Sequence, residues 1–79
     1  MIDENRLKQT MADVLEVDPS AIDDAFSMDT AERWDSLRHM NLVLAIEEEF
    51  QISIPDEEAA EITSYPLVRV VVNEQVQRG

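Results

Sequence analysis

The segment Trp34-Asp35-Ser36-Leu37 has the residue types in this chain that best suit covalent chemistry. It lies where a long polar stretch meets the start of an apolar helical pattern. If Asp35 caps that helix, Ser36 takes the first helical position and its hydroxyl faces solvent. Free backbone amides and the positive end of the helix dipole would then favour a phosphate diester on the serine oxygen. The alternative is that Ser36 is itself the capping residue and has no further role.

Hydrolysis and metal binding are less well supported. Asp35, Ser36 and His39 have the residue types of a hydrolytic triad, but no glycine-rich turn offers an oxyanion hole. Several aspartates in the polar stretch suggest calcium, yet the glycine and the final glutamate of a calcium-binding loop are not placed correctly. These aspartates are Asp18, Asp23, Asp24 and Asp29. The sequence therefore predicts neither an enzyme nor a metal site.

One helix and a long connection precede the serine. Asp3 can cap a helix whose apolar residues recur at helical spacing and which ends before Pro19. These residues are Leu7, Met11, Val14 and Leu15. The connection, about Val17 to Asp35, is polar, and Ser20 to Asp23 resembles a capping box around one helical turn. Its isolated apolar anchors are Ile22, Phe26, Met28 and Trp34. We expect Trp34 to plug the core, with contact to a group on Ser36 as the alternative.

Three further helices are predicted after the connection. The second helix runs from about Ser36 to Phe50, and a short acidic helix follows from Asp56 to Ile62. Thr63 or Ser64 can cap a last helix. The segment 67–72 has strand propensity, but no other segment offers it a partner, so a helix is predicted. The face of the second helix expected in the core is Met40, Val43, Ile46 and Phe50. The corresponding face of the last helix is Leu67, Val70, Val71 and Glu74.

Composition and charge limit the classes of partner. The chain has 79 residues, with 18 acidic and six basic side chains and a net charge of −12. That charge argues against nucleic acid and against an anionic membrane surface, and it favours basic patches on other proteins. A hydrophobic fraction of 44% is typical of a folded domain rather than a disordered chain. No signal peptide or apolar run of membrane-spanning length is visible, so we expect a cytoplasmic monomer.

Three segments at defined spacing resemble the acyl carrier protein family, which includes aminoacyl and peptidyl carriers. They are Asp35-Ser36-Leu37, the acidic helical stretch Leu42 to Phe50, and Ile54 to Glu58. The resemblance covers nearly the whole chain. It implies an all-α four-helix bundle, with a long first loop and a short third helix, formed by a single domain over residues 1–79. Since the chain opens with Met1 and ends soon after the last predicted helix, we expect a stand-alone protein, with a domain excised from a larger synthase as the alternative. The resemblance also implies that Ser36 is the attachment residue for 4′-phosphopantetheine, in a motif completed by Asp35 and Leu37.

By this resemblance the protein carries acyl or aminoacyl groups as thioesters. A phosphopantetheinyl transferase would transfer the arm from coenzyme A, and loading and transferring enzymes would use it. The thiol of the arm explains how a chain without cysteine holds thioesters. Arg33, Trp34, Arg38 and His39 depart from the commonest family pattern and favour a specialised pathway. We expect His39 to be a solvated residue beside the arm. The alternative function is an unmodified acidic adaptor for a basic protein.

A docking surface is predicted around the second helix. From Asp35 to Glu61 the chain has eight acids and one base. Leu37 and Leu44 lie at i and i+7, off the expected core face, and acids surround them. Such a surface suits a transient partner with a basic patch. The predicted docking residues are Leu37, Leu44, Glu47, Glu48 and Glu57. The alternative is that the glutamates form a solvated helix face and that Leu44 is partly covered by the core.

Overall fold

The computed structural model describes residues 2–78 and confirms the predicted all-helical architecture. It contains four α-helices and one short 3-10 turn. They are α1 (Glu4–Leu15), the turn Pro19–Ala21, α2 (Ser36–Phe50), α3 (Asp56–Glu61) and α4 (Tyr65–Arg78). Between residues 2 and 78 the only extended pairing is an isolated antiparallel bridge between Ser27 and Ser64. The segment with strand propensity is therefore helical, because no strand is available to pair with it.

Local side-chain chemistry explains where the helices begin and end. The Asp3 carboxylate caps α1 as predicted, accepting the Asn5 amide at 3.0 Å. After α1 and α2 the backbone turns through the left-handed region, at Glu16 with φ 57° and at Gln51 with φ 53°. Glycine usually occupies such a position because it lacks a Cβ. The only glycine in the chain is Gly79, so two longer side chains end these helices.

A single apolar core joins the four helices and the long loop. α1 lies against α2 over much of its length. The loop contributes buried side chains of its own, and so do the residues that flank α3. The buried residues are Leu7, Met11, Ala12, Leu15, Ile22, Phe26, Trp34, Leu42, Ile46, Ile54, Ile62, Tyr65, Val68 and Val72. α1 and the loop therefore determine which faces of α2 and α4 are covered.

The predicted core face of α2 is wrong at its centre. Met40 is 66% exposed, whereas Leu42 is fully buried together with the predicted Ile46. Val43 and Phe50 are only half-buried. Phe50 lies at the rim of the core, under the guanidinium group of Arg6 at 5.0 Å from its ring centre. The cause is the high apolar content of α2, which allows several apolar stripes at helical spacing.

The predicted buried face of α4 is wrong except at Val71, which is half-buried and packs against the core. Leu67 and Val70 are about half exposed, and Glu74 is exposed. The buried residues are Tyr65, Val68 and Val72, which lie at helical spacing one position away from Leu67 and Val71. A continuous run of valines has no periodicity of its own. The phase of α4 is therefore set by Tyr65, whose ring packs into the core at the start of the helix.

The long loop is fixed by its apolar anchors, as predicted. Phe26 and Trp34 are buried, and their rings stack with centroids 5.6 Å apart. The Met28 amide donates to the Thr63 carbonyl at 2.9 Å, which ties the loop to the start of α4. The helical turn within the loop is present, but its cap is Asp18, which accepts the amide and the hydroxyl of Ser20. The predicted capping role of Ser20 is wrong because Asp18 provides a stronger, charged acceptor.

Candidate functional site

The Asp35-Ser36-Leu37 motif forms the start of α2. The Asp35 carboxylate accepts the Arg38 amide at 2.8 Å, and Asp35 has the extended backbone of a capping residue. Ser36 is the first residue of the helix and is exposed to solvent. The alternative that Ser36 is only a cap is therefore wrong, because Asp35 fills that role. The backbone amides of Ser36 and Leu37 belong to the first turn, where a helix has no carbonyl partners for them.

Two consecutive hydrogen bonds link the residue before Asp35 to α2 and α3. Trp34 is 2% exposed, and its indole N–H donates to His39 Nδ1 at 3.0 Å. His39 Nε2 lies 2.7 Å from the Ala59 carbonyl oxygen of α3. The prediction that Trp34 plugs the core is confirmed. The prediction that His39 is solvated is wrong, because the ring is half-buried and both of its nitrogens have partners. We call this pair of hydrogen bonds the Trp34–His39–Ala59 relay.

Two arginines near Ser36 bind a single carboxylate. Arg38 Nη1 lies 2.6 Å from Glu16 Oε2, and Arg33 Nη1 lies 3.4 Å from the same oxygen. The hydrogen bond from Arg38, and then the positive charges of Arg38 and Arg33, lower the pKa of Glu16 below its usual value. Glu16 caps the end of α1, so these contacts tie the end of α1 to the segment around Ser36. Arg33 and Arg38, two of the residues that depart from the common family pattern, thus form ion pairs with Glu16.

Three exposed apolar residues follow Ser36 along one face of α2. Leu37 is 71% exposed, Met40 66% and Leu44 62%. They lie at i, i+3 and i+7, so they form one stripe, which we call the apolar ridge. The ridge contains both predicted docking leucines. The sequence pattern predicts Met40 in the core and so omits it from the docking surface. Its spacing from Leu37 and Leu44 is the feature that indicates its place on the ridge.

The predicted docking acids differ in their surroundings. Glu48 on α2 and Glu57 on α3 are exposed. Glu47 is half-buried, and its Oε2 accepts the backbone amide of Ile54 at 2.7 Å. Glu47 therefore fixes the connection between α2 and α3 in addition to contributing negative charge. The structure places the three acids on adjacent helices but gives Glu47 a structural role that the sequence pattern did not reveal.

A shallow groove separates α2 from α3. Its volume is about 280 Å³, and more of its surface is apolar than polar. The residues lining it are His39, Met40, Val43, Leu44, Glu47, Ile54, Asp56, Ala59 and Ala60. A larger, more polar cavity of about 390 Å³ lies at the other end of α2, beside Asp3, Arg6 and Phe50. We name the shallow groove the α2–α3 groove. Of the two cavities it is the nearer to Ser36, because it is lined by His39, one helical turn from Ser36.

The residues at Ser36 fit a phosphodiester-linked arm. The serine oxygen is accessible, and the free amides of the first turn and the helix dipole favour a negatively charged ester there. A phosphopantetheine group would bring a thiol, which the chain itself lacks. Between residues 2 and 78, none of the helices has the length and apolar composition needed to cross a bilayer.

Comparison with known proteins agrees with this geometry. Residues 5–66 match the protein family described as the phosphopantetheine attachment site. An acyl carrier protein from Thermosynechococcus vestitus is 37% identical over 71 residues, which represent 90% of this chain and 88% of that protein. The family match confirms 4′-phosphopantetheine as the covalent cofactor of this kind of domain.

A solved structure confirms the architecture. The solution NMR structure of a holo acyl carrier protein from Geobacter metallireducens aligns with a TM-score of 0.81 at 24% sequence identity. The alignment covers 91% of this chain and 83% of that one, so the four helices and the long first loop have the same arrangement. Together with the sequence matches over most of its length, this fold shows that the chain belongs to the acyl carrier protein family.

Proposed function

We propose that Ser36 carries the phosphopantetheine arm and that the protein presents acyl or aminoacyl thioesters to partner enzymes. The supporting observation is the position of Ser36, which is exposed at the first position of α2 and is not needed as the cap. In this proposal residues 1–79 act as one carrier domain. The chain catalyses no reaction itself, and its chemistry depends on the thiol of the attached group.

The residues around Ser36 have distinct parts in this proposal. The Asp35 carboxylate holds the first turn of α2 by accepting the Arg38 amide, and this places the Cα of Ser36 at the start of the helix. The amides of Ser36 and Leu37 remain available to the phosphodiester. Leu37 lies beside the arm and begins the apolar ridge. A phosphopantetheinyl transferase would therefore find the nucleophilic oxygen on a rigid and accessible helix end.

The docking partners would be enzymes with a basic patch around an apolar centre. The apolar ridge supplies the apolar contact, while Glu48 and Glu57 supply exposed negative charge. The specialised pathway is also a proposal. It is supported by the contacts of Arg33, Arg38 and His39, since these side chains distinguish the surroundings of Ser36 from the common family pattern. The cytoplasm, where coenzyme A is available, is the proposed location.

Loading of Ser36 tests the proposal directly. The folded protein is incubated with coenzyme A and a broad-specificity phosphopantetheinyl transferase, and its intact mass is measured. Wild type and the matched control Ser53→Ala, which removes another exposed serine, should each gain one phosphopantetheine. Ser36→Ala should gain none. If folded wild type gains no mass while a known carrier in the same reaction does, the carrier proposal fails and the acidic adaptor becomes the better explanation.

The docking acids are tested in the same reaction. Glu48→Lys and Glu57→Lys should each lower the loading rate at low salt, because they reverse charge on the proposed docking surface. Glu74→Lys on α4 makes the same charge change at an exposed position outside the proposed docking surface. Its rate should stay close to that of wild type. Equal losses in all three variants would show that only net charge matters and would reject a localised docking surface.

A further inference from the structure

We propose that His39 is a positioning residue that holds α3 against α2 in its neutral, Nε2-protonated form. It thereby sets the shape of the α2–α3 groove beside Ser36. The link to carrier function rests on the proposed role of Ser36. The structural part of the proposal concerns the apo protein and can be tested without any attached group.

Within residues 2–78, the only side-chain hydrogen bond of α3 to another helix is the one that Glu58 accepts from Gln75 of α4 at 3.1 Å. α3 has six residues, none of them buried, and its N-terminal cap Pro55 makes no side-chain hydrogen bond. In a continuing helix the amide of residue 63 would donate to the Ala59 carbonyl. Here the Thr63 amide donates instead to the Glu61 carbonyl at 2.9 Å. The Ala59 carbonyl therefore needs another donor, and His39 Nε2 at 2.7 Å supplies it from α2.

The other end of the relay determines the tautomer of His39. A carbonyl oxygen can only accept, and an indole N–H can only donate. His39 must therefore carry its proton on Nε2, facing Ala59, and accept from Trp34 on Nδ1. A proton on Nδ1 would place two N–H groups against each other. Since Trp34 is 2% exposed, water has little access to replace the lost acceptor.

The relay connects the attachment segment to one wall of the groove. Trp34 immediately precedes Asp35 and Ser36, while Ala59 and Ala60 line the groove on the side of α3. α3 also carries Glu57, a proposed docking acid. If the contact between His39 and Ala59 is lost, α3 loses its hydrogen bond to α2, while Gln75 of α4 still donates to Glu58 of α3 at 3.1 Å. Both the groove and the position of Glu57 relative to Ser36 would then change.

Two conservative variants separate the two ends of the relay. In His39→Asn the side-chain amide lies as many bonds from Cα as Nδ1 does, so it can accept from Trp34 but cannot reach Ala59. In His39→Gln the amide lies as many bonds from Cα as Nε2 does, so it can donate to Ala59 but leaves Trp34 without its partner. The pair therefore gives opposite results if each hydrogen bond has the role assigned to it.

The first measurements are made by NMR on the apo protein. In wild type, the imidazole ¹⁵N shifts should show a proton on Nε2 and none on Nδ1. Hydrogen exchange of the Ile62 amide, which donates to the Glu58 carbonyl of α3, should be roughly tenfold faster in His39→Asn. In His39→Gln it should stay within about twofold of wild type, while the Trp34 indole proton should exchange faster. A proton on Nδ1, or equal acceleration of Ile62 exchange in both variants, would overturn the proposal.

The functional consequence is measured by loading. His39→Asn should raise the KM of the carrier in the phosphopantetheinyl transferase reaction more than His39→Gln does, because only the asparagine variant removes the hydrogen bond from α2 to α3. A larger KM effect in the glutamine variant would contradict the assigned role. If wild type is never loaded, the proposed function of Ser36 fails, whereas the imidazole shifts and the exchange rates still decide the role of His39.

Discussion

Glu47 and Glu48 are adjacent in sequence, but the structure predicts different effects on stability when each is replaced by alanine. Glu47 accepts the Ile54 amide at 2.7 Å, in a contact that is partly buried. Ile54 is 5% exposed, so its amide would have little water to bind once the carboxylate is gone. Glu48 is exposed, and no hydrogen bond from its side chain is found within residues 2–78. Comparing Glu47→Ala with Glu48→Ala therefore shows the effect of losing the hydrogen bond to Ile54, since the same residue type is replaced at neighbouring positions of one helix.

The size of the effect follows from the type of hydrogen bond. A hydrogen bond to a charged group contributes roughly 1.5–3 kcal/mol, and partial exposure of Glu47 argues for the lower half of that range. We expect Glu47→Ala to destabilise the protein by about 1.5–2 kcal/mol, and Glu48→Ala to change its stability by less than about 0.5 kcal/mol. Glu47→Gln retains a neutral acceptor and should cost about half as much as Glu47→Ala. A domain of this size has a total stability of roughly 4–12 kcal/mol, so the loss is easily measured.

Urea unfolding followed by circular dichroism tests this order. With an m-value of about 1 kcal/mol/M, which is typical of a small domain, Glu47→Ala should lower the midpoint by roughly 1.5 M. Glu47→Gln should lie between it and wild type, and Glu48→Ala should coincide with wild type. If Glu48→Ala is as destabilising as Glu47→Ala, helix charge rather than the Ile54 contact is responsible. If Glu47→Gln is no better than Glu47→Ala, the hydrogen bond is not the cause.

Two further predictions concern the core and pH. In the same unfolding assay, Leu42→Ala should lower the free energy of unfolding by roughly 2–5 kcal/mol and Met40→Ala by less than about 0.5 kcal/mol, because only Leu42 is buried. Comparable losses in the two variants would show that Met40 packs in the core, as the sequence pattern predicts. Burial, and then the hydrogen bond to Glu4, raises the pKa of Tyr65 from 10.0 to about 12. The neutral phenol is therefore favoured in the folded state, and its contribution to stability is full below pH 10 and is lost as the pH rises towards 12. Tyr65→Phe should reduce the loss of stability at alkaline pH. Because the chain has a single tyrosine, the absorbance of its phenolate reports the ionisation of Tyr65 directly. Phenolate formation near pH 10 in protein that is still helical would refute the raised pKa of Tyr65.

The geometry of the Asp35–Ser36 segment could be predicted from sequence because its signals are local. Asp35 supplies a carboxylate at the position where a helix needs a cap, and Ser36 follows it at once. The apolar anchors of the loop were also visible, since Phe26 and Trp34 are large apolar residues in a polar stretch. Such signals depend on neighbouring residues only. The cap, the exposed serine and the plugged loop were therefore all placed correctly.

The phase of α2 and the role of His39 could not be predicted in this way. α2 has apolar residues on most of its faces, so its periodicity allows Met40 or Leu42 in the core. The choice depends on α1 and the loop, which cover the Leu42 side. His39 binds a backbone carbonyl 20 residues further along the chain. Every residue has such a carbonyl, so no side-chain pattern marks the one at Ala59.

Within residues 2–78, the ion pairs leave most acidic side chains of α2 and α3 uncompensated. The arginines in ion pairs within residues 2–78 bind Glu4, Glu16, Asp24 and Glu49. Three of these acids belong to α1, its end or the loop, and Glu49 faces Arg6 of α1. No ion pair in the same range reaches Glu48 or Glu57, so uncompensated charge remains on the side of α2 and α3. In the proposed function, this charge would attract a basic partner to the side of the apolar ridge, over a distance that shortens as salt screens the field.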